Sequence, residues 1–285
     1  MSRSVPAACV IGWPVEHSRS PLIHNYWLKA CRVAGEYRRE AVAPDRFRDF
    51  LQSLAARGYA GANLIFPHKE AALAFSQPDD RARAVGAANT LWLEDGELRA
   101  TNTDVGGFLD NLDACVPGWD RDCETALVLG AGGAARAVVH GLLERGTPRI
   151  VVINRTSRRA QALQEWFGAR VRVAAWEERN QWLGGARLLV NATKLGMPGE
   201  SELAIDIARL PADAVVADLV YLPLVTPLLR AATARDLRIA DGLGMLLRQA
   251  APQFQLWFGK KPEITRELRS LLEQDLARAQ PPAQQ

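Results

Sequence analysis

The chain has 285 residues, 48% hydrophobic and 24% charged, with a formal net charge of +3. That length suits two domains of ordinary size, and the composition is that of a globular protein and not of a disordered one. Scattered arginines, with no basic stretch interleaved with aromatics, argue against a nucleic-acid partner, and no apolar run approaches the ~18 residues of a membrane span. Cys9, Cys31, Cys115 and Cys123 form no CxxC pair, and neither they nor the four histidines have metal-ligand spacing. They read as reduced thiols; no metal is expected, and with no signal-peptide core at the N-terminus the expected compartment is the cytoplasm.

Short apolar runs alternate with longer amphipathic ones, the pattern of an α/β fold around largely parallel sheets. In chain order, a strand is predicted at 8–11, then a helix opened by Pro21 with Ser20 as its N-cap. A strand at 37–42 leads into a helix over 47–56, and a strand at 62–66 precedes a short helix at 69–75. Runs at 91–93 and 97–100 flank Asp95-Gly96, a hairpin signal. After a helix over 107–114, a second series begins at Thr125, with strands at 126–129, 149–153, 171–174, 188–191, 215–218 and 238–239. Helices at 245–258 and 264–277 follow, and the tail 280–285 reads as disordered. The expected organisation is a domain over 1–104, a second over 105–240, and C-terminal helices in 241–285 that pack back on the first.

The stretch from Ala126 to Ala137 (ALVLGAGGAARA) places Gly130-x-Gly132-x-x-Ala135 directly after an apolar strand and before a helix. Gly130 permits the tight turn, Gly132 lets the backbone approach a pyrophosphate, and Ala135 allows close helix–sheet packing. Unpaired N–H groups at the helix start favour the phosphates. The next strand ends Ile153-Asn154-Arg155-Thr156-Ser157-Arg158-Arg159, without the carboxylate that usually binds the ribose of NAD. An arginine fork matches a 2′-phosphate, so the pattern predicts NADP, with Asn154, Arg155, Thr156 and Arg159 among its contacts.

Four polar motifs mark the first half: Ser18-Arg19-Ser20-Pro21, Asn63 through Lys69, Asn89-Thr90 and Asn102-Thr103-Asp104. Singly, each reads equally well as a cap, a turn or a solvated helix start. In this order they resemble the shikimate dehydrogenase family, and the resemblance runs from Gly12 to about Gly259. Gly12 to Asn25 (GWPVEHSRSPLIHN) is similar to the family's GxPxxHSxSPxxHN, and Gly61 to Lys69 (GANLIFPHK) to its GxNVTxPxK. Gly86 to Thr90, Asn102 to Asp104, the Gly130 loop, Asn154 to Thr156, Asn191 to Thr193 with Gly196-Met197, Asp218 to Pro223 and Asp241 to Leu246 with Gln249 resemble later motifs.

The resemblance implies an N-terminal substrate-binding domain, a C-terminal Rossmann-type NADP-binding domain and a cleft between them. It implies reversible reduction of 3-dehydroshikimate to shikimate by NADPH, in a monomer or homodimer. Lys69 and Asp104 match the catalytic pair. Ser18, Ser20, Asn89, Asp104 and Gln249 match residues that hold the substrate's carboxylate and ring hydroxyls, and Tyr221 falls at a wall contact. The implied cofactor contacts also include Ala131, Gly133, Ala134, Thr193, Lys194, Leu219, Gly242 and Met245, beside Gly130 and Gly132. The chemistry agrees. Hydride addition to a ketone builds negative charge on oxygen, and a lysine ammonium supplies both a proton and a positive charge.

Two positions depart from the pattern. Ile65 stands where the family has a threonine at the substrate, so a hydroxyl worth about 0.5–1.5 kcal/mol in a bonded site is replaced by a branched alkane. Either the site tolerates the loss, or the substrate is quinate, aminoshikimate or another hydroaromatic acid, or Ile65 faces the core. Lys194 replaces a serine, and three roles stay open to it: a cofactor phosphate, the substrate carboxylate, or water. A non-catalytic NADP sensor is the alternative from another class.

Overall fold

Continuous Val-, Leu- and Ile-rich runs such as Leu188–Asn191 need cover on both faces, and alternation decides which residue faces which layer. A computed structural model describes residues 5–279 and divides into two compact units. The first contains residues up to Asp104 together with Leu247–Leu272, and the second contains Val105–Leu246 and residues from Glu273 onward.

The first unit holds β1 (Ala7–Gly12), α1 (Ser20–Ala30), β2 (Glu36–Ala41), α2 (Phe47–Gln52), β3 (Tyr59–Leu64), β4 (Gln77–Pro78), α3 (Asp80–Val85), β5 (Thr90–Glu94) and β6 (Glu97–Thr101). Its sheet runs β2-β1-β3-β5-β6-β4. β1 is parallel to β2 and β3, and β5 is antiparallel to β3 and β6. Along β1, Ala7, Cys9 and Ile11 enter one apolar cluster with Leu54, Leu64 and Leu91, while Ala8 and Val10 enter another with Val15, Tyr37 and Trp257. The β5–β6 turn carries Asp95 and Gly96 at φ 52° and 81°, as a tight two-residue hairpin requires.

The next elements are α4 (Asp104–Cys115), β7 (Thr125–Leu129), α5 (Gly133–Glu144), β8 (Arg149–Ile153), α6 (Ser157–Phe167), β9 (Val171–Ala174), β10 (Leu188–Asn191), β11 (Val215–Asp218), α7 (Pro227–Thr233) and β12 (Arg238–Ala240). α8 (Gly242–Phe258) and α9 (Arg266–Arg278) complete the chain, each with residues in both units. The second sheet, β12-β11-β10-β7-β8-β9, is parallel throughout. Its strand order is that of the doubly wound dinucleotide fold, which reverses between its first and fourth strands, here β7 and β10.

Several boundaries differ from expectation. Ser20 is the first residue of α1, not its cap; Arg19 occupies the cap position and makes no cap bond, because a guanidinium has no acceptor to offer, and it donates instead to the His17 carbonyl. The helix expected over 47–56 ends at Gln52, where the Ser53 hydroxyl bonds back to the carbonyls of Asp49 and Phe50. At 69–75 only a 3₁₀ turn forms, Ala71–Phe75, which leaves Lys69 on the preceding loop. α4 begins at Asp104, three residues before the expected start, with the Asp104 amide donating to Asn102 Oδ1. A carboxylate there also suits the positive end of the helix. The tail 280–285 lies outside the described residues. No described helix is long and apolar enough to cross a membrane.

Candidate functional site

In the first unit, two loops, the first residue of α4 and α8 bring four of the sequence-identified residues into one bonded cluster. Lys69 Nζ donates to Asp104 Oδ2 at 2.5 Å, with the two side chains 17% and 6% exposed. The Lys69 backbone is fixed by its carbonyl, which accepts from Ala88 N, and by its neighbour His68, whose ring stacks on Phe47 and whose Nε2 lies 2.7 Å from the Val42 carbonyl. Asn89 Nδ2 donates to Asp104 Oδ1 at 2.8 Å and reaches Gln249 Oε1 at 3.2 Å. Each carboxylate oxygen therefore faces its own donor, one charged and one neutral, in a pocket with little water to screen them.

Ser18 and Ser20 form a second polar group in the same unit, both buried, with Ser18 Oγ donating to Ser20 Oγ at 3.2 Å. Arg39 holds this loop by donating Nη2 to the Ser18 carbonyl at 2.8 Å. Tyr37, one of its packing supports, donates its hydroxyl to Asn63 Oδ1 and has its own backbone clamped on both sides by the Asn25 amide. Burial raises the Tyr37 phenol well above its ordinary value, so it stays a donor. Ile65 is half-buried and packs against the cluster containing Val15 and Tyr37. It fills the space beside Gly12, where a Cβ would lie 2.3 Å from Ile65 Cγ1.

In the second unit, the glycine loop sits where the strand order reverses. Gly130 has φ +110°, and a Cβ on it would lie 2.7 Å from the Ala192 carbonyl at the end of β10. Gly132 caps α5 with no side-chain bond and has open space where a Cβ would be. These features leave the N–H groups around Gly132, Gly133 and Ala134 without a side chain over them, beside the buried Ala131. At the end of β8, Arg155, Arg158 and Arg159 are exposed at the start of α6, and none pairs with a carboxylate among the described residues. Asn154 Nδ2 donates to the Thr156 carbonyl and shapes that turn.

The loops after β10 and β11 are knotted together. Asp218 accepts from Asn191 Nδ2 at 2.9 Å, Val220 N at 3.0 Å and Thr226 Oγ1 at 2.7 Å. Asn191 Oδ1 in turn accepts from Thr193 N and Oγ1, which sets the loop bearing the exposed Lys194. Burial pushes the Asp218 carboxyl up to about 6 against the pull of its three donors. Leu219 lies against Gly242, where a Cβ would meet the Leu219 carbonyl at 2.5 Å; Met245 is buried on the same helix and Tyr221 is half-buried. One polar residue of the first unit escaped the sequence reading: Gln253, fully buried like the motif residue His24. A Gln after a proline carries no motif signal.

A parallel sheet in dinucleotide-fold order with a bare glycine turn at its reversal point, and a separate unit that pairs a part-buried lysine with a buried aspartate, define a two-unit nucleotide-dependent oxidoreductase. Comparison with known proteins gives the family. Residues 10–91 match the shikimate dehydrogenase substrate binding domain, 118–199 the shikimate / quinate 5-dehydrogenase model and 242–266 the shikimate 5'-dehydrogenase C-terminal domain. Shikimate dehydrogenase (NADP(+)) of Afipia carboxidovorans is 60% identical, over 95% of this chain and 98% of the relative. The Nitrobacter winogradskyi enzyme of the same name is also 60% identical, over 95% and 96%. Among solved structures, shikimate 5-dehydrogenase of Thermus thermophilus in complex with NADP(H) and shikimate is 38% identical, with a TM-score of 0.80 over 96% and 99% of the two chains. Quinate dehydrogenase of Corynebacterium glutamicum in complex with NAD is 30% identical, with a TM-score of 0.85 over 94% and 99%. The chain belongs to the shikimate dehydrogenase family.

Proposed function

We propose that the protein catalyses the NADP-dependent, reversible reduction of 3-dehydroshikimate to shikimate, as a cytoplasmic monomer or homodimer serving aromatic biosynthesis. The observation that carries the chemistry is the 2.5 Å contact between Lys69 Nζ and Asp104 Oδ2 inside a buried amide cluster. Bound NADPH supplies the hydride. Lys69, as an ammonium, donates the proton to the carbonyl oxygen as charge develops there, and in the reverse direction it receives the proton from the hydroxyl. Asp104 keeps that ammonium in place and accepts a hydrogen bond from a substrate hydroxyl. Asn89 and Gln249 orient the remaining ring hydroxyls, Ser18 and Ser20 bind the carboxylate, and Tyr221 adds a wall contact.

The second unit suits a dinucleotide phosphate: backbone N–H groups at Gly130 to Ala134 for the pyrophosphate, and Asn154, Arg155, Thr156 and Arg159 for the 2′-phosphate. Thr193, Lys194, Leu219, Gly242 and Met245 complete the nucleotide's surroundings. The half-buried Ile65, an alkane where the family has a threonine hydroxyl, favours one second reading, a hydroaromatic acid other than shikimate, such as quinate. Initial rates on shikimate and quinate, each with NADP and NAD and followed at the reduced-nicotinamide absorbance, decide between them. Shikimate with NADP is expected to be fastest. Equal rates with both cofactors would sink the NADP assignment, and faster turnover of quinate would sink the substrate assignment.

A further inference from the structure

Behind the amide cluster of the first unit lies a fully buried side chain with no part in the proposed chemistry. Gln253 stands four residues after Gln249 on α8, so the two share a helix face. Its Nε2 has three acceptors in range: Gln249 Oε1 at 2.8 Å, Thr90 Oγ1 at 2.9 Å and Thr103 Oγ1 at 3.1 Å.

The donor and acceptor roles propagate from a group that cannot invert. The Thr103 backbone N–H donates to Asn89 Oδ1 at 2.8 Å, and the Thr90 hydroxyl donates to the same oxygen at 2.9 Å. That fixes the Asn89 amide with Nδ2 toward Asp104 Oδ1 and Gln249 Oε1. Gln249 Oε1 then receives donors from both Asn89 and Gln253, which turns its own N–H groups the opposite way. A flipped Gln253 would press one carbonyl oxygen against another.

At the other end, Gln253 Oε1 and both ring nitrogens of His24 have no partner at full hydrogen-bond geometry among the described residues. The Gln253 amide acts on the imidazole, whose ring is stacked on Tyr37 at 4.2 Å and edged by Trp27 at 5.6 Å. A neutral imidazole has one N–H to give, and Gln253 Oε1 is an acceptor left without a partner.

We propose that Gln253, backed by His24, is a positioning residue: its amide holds the Gln249 carbonyl toward Asn89, and so supports the side of Asn89 that bonds the Asp104 carboxylate. This rests on the reading of Lys69 and Asp104 given above. Gln253→Met keeps the length and removes the polar atoms. It is expected to raise the KM for shikimate about tenfold, the loss of one oriented hydrogen bond, with the KM for NADP unchanged. In a Gln249→Met background the same substitution should add nothing further, because its effect passes through Gln249. His24→Phe, which keeps the ring stack and removes the donor, should show the same split at smaller size and decides the matter if Gln253→Met does not fold. Wild-type KM values in these variants, equal shifts in both KM values, or full additivity with Gln249→Met would overturn the proposal alone. A wild type with no turnover of shikimate would instead overturn the reading beneath it, and the proposal with it.

Discussion

Among the described residues each unit buries one aspartate, Asp104 at the start of α4 and Asp218 at the end of β11, and the two are held in different ways. Asp104 meets an ammonium on one oxygen and an amide N–H on the other. Asp218 meets three neutral donors and no cation. In the proposed function the first arrangement holds a transferable proton beside a fixed charge. The second ties the Asn191 loop, Val220 and the start of α7 to one point. On that proposal a buried carboxylate is a reaction partner in one unit and a fastener in the other, and the neighbouring side chains decide which.

The sharpest way to break the contrast is Lys69→Ala. It is expected to lower kcat by about 10²–10⁴ while shikimate still binds, the range for loss of a general acid. Near-normal turnover would remove the chemical role from the first unit altogether. The same substitution should leave NADPH binding intact, as measured by titration of the reduced-nicotinamide fluorescence.

The pH dependence of stability should separate the units next. Burial drives His24 from 6.5 down to about 3, so the folded first unit binds fewer protons than the unfolded chain between those values. Its stability is full above pH 6.5 and falls as the pH drops toward 3, by about 5 kcal/mol over the whole window. Asp218 rises from 3.8 to about 6, so the folded second unit binds more protons there. Its stability is highest below pH 4 and falls as the pH rises to 6, by about 3 kcal/mol. Urea midpoints read separately for each unit between pH 4 and 6 should therefore move in opposite directions. His24→Phe should flatten the first and Asp218→Asn the second; slopes that survive these substitutions would refute the assignment.

The smallest effect concerns recognition alone. Arg159→Ala should raise the KM for NADP about tenfold and narrow the preference over NAD, with the KM for shikimate unaltered. A shift in the shikimate value would contradict the division of labour.

Legibility in the sequence also differed between the units. Arg149–Ile153, Val171–Ala174, Leu188–Asn191 and Val215–Asp218 are strands at their expected bounds, because a strand covered on both faces is an uninterrupted apolar run between helices. β2, with sequence EYRREA and two exposed arginines, has no such run, and its bounds moved by one residue. Short segments were least legible: whether 69–75 winds as α or 3₁₀ depends on bonds to distant residues such as Ala88. Of the site, Lys69, Asp104, Asn89 and Gln249 were visible as motif residues that the fold joins in one cluster. Gln253 was not, since its role exists only once α8 lies against the Thr90 and Thr103 hydroxyls.

The chain order of the units has a consequence for biosynthesis. The first unit includes Leu247–Leu272, so Gln249, Gln253, Phe254 and Trp257 emerge from the ribosome after almost all of the second. Domains generally fold as they are synthesised, yet the portion begun earliest waits longest for its missing helix. Until then His24 lacks the aromatic cover of Phe254 and Trp257. The first unit thus receives its last helix only after most of the second has been made.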